Sequence, residues 1–347
     1  LVGLGLSVVT ACHLHRYLVT VRELFASAEA DLHLSEEVAE WASSLARCIE
    51  AAEGLGEELD SVKRRAVVDE LGGIFEAYRE RVWERGFGGV TTMRREDALA
   101  LLDRAAAWVA ETIRENRRED GLYHAYNLVD FSGDERLEIG RLDLMLEGQV
   151  AVLSAGLLGP DEAASIGRAL FESPLYREDQ QSFMLYPKRE LPGFLERNSV
   201  SSEAVAEVPL LCELIEAGEP CVLTVDADGV GRFHGDIANR QGLSAVLDRL
   251  ETRPAWAESV ARDREVVLAL FEETFNHRAF TGRSGTMYGY EGIGCIYWHM
   301  VSKLLLALQE NFLAARRLNS SEADALAAHY ARVRGGLSAA KTPAEYG

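Results

Sequence analysis

Positive charge is scarce in this sequence: 36 lysines and arginines stand against 56 aspartates and glutamates in 347 residues, a formal net charge of −20. Nucleic-acid binding draws on clustered basic side chains that displace counterions from phosphate. The densest basic run here is KRR at 63–65, so no nucleic-acid partner is expected. Cysteine is sparse as well. Cys12, Cys48, Cys212, Cys221 and Cys295 form no CxxC pair and are odd in number, which argues against a disulfide scaffold or a structural zinc site and fits a reducing cytoplasm. Long apolar runs are missing too. The nearest, LVGLGLSVVTACHLHRYLV at 1–19, carries His13, His15 and Arg16, which suits a buried helix better than a membrane span. It has no basic leader and no small-residue cleavage site, so no signal peptide is expected. The start at Leu1 and the end at TPAEYG read as those of a piece of a longer polypeptide.

What is present is mostly helical pattern. The chain is 48% hydrophobic, enough for one large domain or two modest ones. Apolar residues three and four apart predict three helices in 1–85, a glycine-rich break at GFGGVTT (86–92), and an amphipathic helix over 95–118. A helix apolar almost all round is predicted at 141–158, with a partner over 159–173 opened by Gly-Pro-Asp. Residues 174–200 lack a period and read as a long irregular loop. A helix at 202–217 follows, then a β-hairpin over 221–236 turning at Asp228-Gly229. Further helices are expected near 265–275, 291–317 and 320–334. About eleven helices, one hairpin and no βαβ alternation make the expected fold all-α. Helix pairs joined by functional loops fit a closed helical toroid, and the lack of a fixed-period repeat disfavours a solenoid. The expected division is an N-terminal helical segment, 1–85, and a toroid-like domain, 86–347, or the two as one domain.

Several stretches gather chemistry-bearing side chains. On the predicted 141–158 helix, Asp143 and Glu147 are four apart and share a face that Ser154 extends. Carboxylates on an apolar helix are costly unless paired or lining a polar cavity. They read either as salt bridges to neighbouring arginines or as a sugar-binding or general-acid position whose pKa burial raises. The non-helical EDGLYHAYNLVDF (119–131) supplies Asp120, Tyr123, His124, Tyr126, Asn127 and Asp130. Planar rings beside amide and carboxylate groups offer a pyranose an apolar face and acceptors for its hydroxyls. The alternative is an Asp-Gly turn with Tyr123 and Tyr126 packed as core. The mixed-charge FMLYPKRELPGFLERN (183–198) reads first as a surface loop.

TGRSGTMYGYEGIGCIYWHM (281–300) is the densest such stretch. Gly282, Gly285 and Gly289 let backbone amides approach a ligand. Ser284 and Thr286 add hydroxyls, and Arg283 brings a planar fork suited to phosphate or carboxylate. Neither Walker nor dinucleotide-binding spacing is present. Glu291, Cys295 and His299 recur at i, i+4 and i+8, about 12 Å of helix, too long for one ion. No metal is therefore expected. Glu291 reads as an acid or sugar-binding group, or as a plain complement to the helix dipole. DADG at 226–229 opens like a calcium loop but lacks the later ligands and reads as a hairpin turn.

Together, DGLYHAYN, LEGQVAVLSAGLL and TGRSGTMYGYEGIGCIYWHM resemble large bacterial proteins with an (α/α)-toroid domain, in the group of carbohydrate-active enzymes that holds glycoside hydrolases and inverting disaccharide phosphorylases. The resemblance covers about 119–312 and implies an (α/α)6-toroid-like fold closed by twelve helices, with a cleft lined by inter-helix loops and with the small β-hairpin near 221–236 as an insertion. Inverting hydrolysis in such a cleft needs two carboxylates roughly 6.5–9.5 Å apart, whereas phosphorolysis needs one acid, with inorganic phosphate as co-substrate. On this reading the chain cleaves a glycosidic bond of an oligosaccharide or other polyhydroxyl molecule, with no cofactor. Glu291 with Asp143 or Glu147 would be the acid and base. Asp120, Tyr123, His124, Tyr126, Asn127, Arg283, Ser284, Tyr288, Tyr290, Trp298 and His299 would line the substrate. The rivals are a non-catalytic helical carbohydrate-binding or protein-interaction module of a larger protein, and a zinc-dependent toroidal cyclase, which scattered cysteines disfavour.

Overall fold

The computed structural model describes residues 5–53, 60–131, 135–187, 192–275, 296–337, 341–342 and 344. The chain forms two compact units, 1–188 together with 294–347, and 189–293, so the second interrupts the first in sequence. Residues 1–85 belong to the first unit. The described residues are mostly helical, with short antiparallel strand pairs among them.

The first unit is built around a short helix, α5 (Leu146–Ser154). Leu146, Val150, Val152 and Leu153 are all buried there, on more than one side of the helix. Helix α1 (Val8–Ala26) packs on α5 and on α4 (Arg95–Arg114). On another side α12 (Trp298–Arg317) packs on α5, on α6 (Pro160–Glu172) and on α13 (Ala323–Gly335). Leu304 and Leu308 of α12 join Val150, Leu153 and Ile166 in one apolar cluster. Helix α6 begins where sequence placed it: Pro160 sits in the first turn, where a missing N–H is harmless, and Glu162 accepts the Gly159 amide. Helices α2 (Glu36–Glu53) and α3 (Ser61–Arg85) pack on each other, and α3 buries none of its residues. Among the described residues of 1–85 there are three helices, as the periodicity predicts.

Strands occupy places where the sequence reading has none. Strand β1 (Gly5–Ser7), β4 (Tyr126–Asp130) and β5 (Glu138–Arg141) form a three-stranded antiparallel sheet in the order β1-β4-β5. Ser7 lies opposite Tyr126, and Asn127 opposite Arg141. Strands β2 (Leu32–Ser35) and β3 (Val90–Met93) form a second pair, and β6 (Tyr176–Arg177) with β7 (Ser182–Phe183) a third.

This sheet corrects the helix expected at 141–158. Residues 138–141 pair with β4, and the Leu142 amide donates to the Tyr126 carbonyl at 3.1 Å, so the helix starts only at Leu146. Asp143 precedes it and is exposed, and it does not share a helical face with Glu147. The alternation Leu142, Leu144, Leu146 carries the period of two that marks an extended segment.

The second unit holds α7 (Phe194–Arg197), α8 (Ser202–Ala206), α9 (Pro209–Glu216), the hairpin β8 (Leu223–Val225) and β9 (Gly231–Phe233), α10 (Arg240–Glu251) and α11 (Ala257–Phe275). The expected single helix at 202–217 is split, because Val208 before Pro209 is extended, as residues preceding proline are. The hairpin near 221–236 is present. Asp226 accepts the amides of Asp228 and Val230 at 2.9 and 3.0 Å, Gly229 takes φ 80°, and Arg232 pairs with Asp226 at 2.9 Å. Phe233, Phe271 and Phe275 meet edge-on or tilted inside the unit. Asn198, 2% exposed, holds the hairpin to its neighbours: Nδ2 donates to the Phe233 carbonyl and Oδ1 accepts the Phe233 amide, both at 2.8 Å. Asn198→Ala strands two buried peptide groups and is expected to destabilise this unit by about 2–4 kcal/mol. Hydrogen exchange of the 223–233 amides reads that loss, and unchanged protection would contradict it.

Candidate functional site

Three consecutive residues at the start of α5 hold the segment 122–127. Gln149 is fully buried. Its Oε1 accepts the Tyr123 amide at 2.8 Å, and its Nε2 donates to the carbonyls of Tyr123 and Met145 at 2.7 and 3.0 Å. One side chain thus satisfies both peptide groups of Tyr123, as a neighbouring strand would. Gly148 lies against Ala125, where an added Cβ would come within 3.0 Å of the Ala125 Cα and Cβ. Glu147 accepts the Tyr126 hydroxyl on Oε2 at 2.9 Å.

The other end of the segment is closed by turn chemistry. Asp120 accepts the Leu122 amide and pairs with Arg118 at 2.9 Å, and Gly121 takes φ 79°. This is the Asp-Gly turn of the sequence reading. Burial acts to raise the Asp120 pKa, but the Arg118 guanidinium and the Leu122 amide outweigh it and hold the carboxyl below its ordinary value. Asn116 and Asn127, both buried, join the flanks through a 2.8 Å hydrogen bond.

Burial then alternates. Tyr123, Ala125 and Asn127 are inside, whereas His124 and Tyr126 are half-buried. Residues two apart in extended chain share a face, so His124 and Tyr126 point the same way, with Glu147 against the Tyr126 hydroxyl. Burial pushes the Tyr126 phenol up to about 12, with the Glu147 hydrogen bond and charge adding to it. His124 is lowered by burial, against the opposing effect of its Nδ1 bond to the Leu142 carbonyl at 2.8 Å.

The structure therefore brings together His124, Tyr126 and Glu147 from the predicted site. Asp120 sits at the turn, exposed. Tyr123 is 2% exposed and part of the core cluster, so its ring offers no face for stacking, and Asn127 is buried, its Nδ2 donating to Asn116 and its Oδ1 without a partner among the described residues. Trp298 begins α12 half-buried against the core, with the Lys341 ammonium 5.1 Å from its ring centroid; His299 is exposed, 5.7 Å from the Tyr297 ring. Arg283, Ser284, Tyr288, Tyr290 and Glu291 lie outside the described residues. Sequence reasoning missed Gly148 and Gln149, whose signal was a glycine and an amide next to Glu147 in a mostly apolar helix.

A groove of about 910 Å³ lies elsewhere in the first unit, between α2, β3 and α4. It contains none of the predicted site residues. Its lining has no aromatic ring, and two of its arginines are already paired, Arg94 with Asp97 and Arg104 with Glu50. It lacks the aromatic ring beside polar groups that the 122–127 face carries, so the candidate site is placed on that face. Among the described residues no group of three His, Cys, Asp or Glu side chains could hold a metal ion, and no helix is long and apolar enough to cross a membrane.

Residues 191–278 match the family model described as GH149 phosphorylase insertion domain 2. No curated protein matches the chain. The matched range falls within the second unit and covers most of it. Through that unit the chain is related to the glycoside hydrolase and phosphorylase families.

Gly148→Ala tests the contact that seats the segment. The added methyl meets backbone rather than a flexible side-chain end, so a loss of roughly 1–3 kcal/mol is expected. Urea unfolding measures it, and wild-type stability would show that the Ala125 approach is not tight.

Proposed function

We propose that the chain is part of a carbohydrate-active enzyme of the glycoside phosphorylase type, cleaving a glycosidic bond by carboxylate acid–base catalysis in a cleft of a helical toroid. The observation that carries this reading is the second unit. It is inserted within the first, and it matches a domain described as an insertion of a phosphorylase. The 122–127 face supports it, because His124 and Glu147 offer acceptors to a hydroxyl-rich ligand.

In the reaction, an acid protonates the bridging oxygen while its bond to the anomeric carbon breaks. A phosphate oxygen attacks that carbon from the opposite face, giving an inverted sugar 1-phosphate. Glu147 is the better candidate than Asp143 for a carboxylate that touches substrate: it is half-buried and oriented by Tyr126, whereas Asp143 is exposed. Glu291 remains the candidate acid. Trp298, Tyr288 and Tyr290 are the candidate sugar platform, and Arg283 the candidate phosphate fork.

The test is incubation of the chain with glucose disaccharides of each linkage, with and without inorganic phosphate. Cleavage that requires phosphate and yields sugar 1-phosphate is expected. Cleavage without phosphate would instead make the chain a hydrolase, and neither cleavage nor binding would leave the non-catalytic helical module. Glu147→Gln is expected to lower turnover about 10²–10⁴-fold while the melting temperature stays near wild type.

A further inference from the structure

The imidazole of His124 is set to act in one protonation form. Its Nδ1 lies 2.8 Å from the Leu142 carbonyl, which only accepts hydrogen bonds, so Nδ1 carries the hydrogen and Nε2 is the acceptor of the neutral ring. The Leu142 peptide is itself fixed, its amide bonded to Tyr126. Among the described residues no group hydrogen-bonds Nε2. Charged neighbours are Asp120, which favours a second proton, and Arg118 and Arg141, which oppose it. Both arginines are engaged, Arg118 by Asp120 and Arg141 by the Glu115 carbonyl at 2.8 Å. On the same face Glu147 is a second acceptor, with Oε2 already taken by Tyr126.

We propose that His124 receives a ligand hydroxyl hydrogen on Nε2 as a neutral imidazole, with Nδ1–H held by Leu142, so that this face takes an O–H donor. The ligand class rests on the carbohydrate reading; the tautomer does not. Two acceptors on one face suit the hydroxyls of a sugar, which donate hydrogen bonds. Burial holds the ring below its ordinary value of 6.5. Binding therefore weakens as Nε2 gains its proton, at a lower pH than an ordinary imidazole would set.

Long-range proton–nitrogen NMR of the full 15N-labelled chain tests this, with α- and β-linked glucose disaccharides as probes. At neutral pH the His124 signals are expected to show a protonated Nδ1 and a bare Nε2, and a disaccharide is expected to move the Nε2 signal. His124→Asn keeps an N–H for Leu142 but lacks Nε2, and is expected to weaken disaccharide binding by about tenfold, roughly 1.4 kcal/mol. The opposite tautomer overturns the proposal, as does a disaccharide that shifts other resonances but leaves Nε2 unmoved, or a folded His124→Asn chain that binds like wild type. In those cases the carbohydrate reading stands. A spectrum that no disaccharide perturbs anywhere removes that reading and this proposal together.

Discussion

The carboxamide of Gln149 reaches from a nine-residue helix to take both peptide groups of Tyr123, and the arrangement of the first unit's polar face follows from that contact. A buried amide is tolerated when its own donors and acceptor are satisfied, and here the Tyr123 peptide groups and the Met145 carbonyl satisfy them. Gly148 then lets Ala125 lie directly on the helix, while Glu147 reaches the Tyr126 hydroxyl. With Tyr123, Ala125 and Asn127 turned inward by these contacts, His124 and Tyr126 are left on the other side of the segment. The same three residues therefore bear on both stability and presentation. Packing of α1 and α12 on α5 keeps the helix itself from shifting.

The second unit follows a different logic. Its core is a cluster of edge-on and tilted phenylalanines, and its hairpin is locked by Asn198 and by the Asp226–Arg232 pair. Nothing in that set resembles a reacting centre. Asp263, 6% exposed, caps α9 through the Leu210 amide at 2.7 Å and is paired with Arg262 at 2.9 Å. Among the described residues of this unit, Asn198, Asp226, Arg232 and Asp263 hold its own elements together.

Much of the helical order was legible because its periodicity is strong: the helices of 1–85, α4, α6 and the Asp228-Gly229 hairpin stand close to where spacing and turn residues put them. The region around α5 was less legible. An apolar run from 141 to 158 fits a buried helix or a buried strand equally by composition, and only pairing with β4 decides that 138–141 is strand. Asp143 was misplaced for that reason. Proline splitting 202–217 was readable from Pro209 itself. In the candidate site, His124, Tyr126 and Glu147 were legible from residue type. The burial of Tyr123 was not, since an alternating segment looks the same whichever face turns inward. Gln149 was overlooked because its partner is backbone, which leaves no mark in the sequence.

The central claim is that the segment seated by Glu147, Gly148 and Gln149 presents a sugar-binding face. A crystal structure of the chain with a bound disaccharide tests it most directly. The account predicts sugar hydroxyls within hydrogen-bond distance of His124 Nε2 and of Glu147, with Tyr123 still paired to Gln149. A sugar seated in the groove between α2, β3 and α4, with the 122–127 face bare, would contradict it.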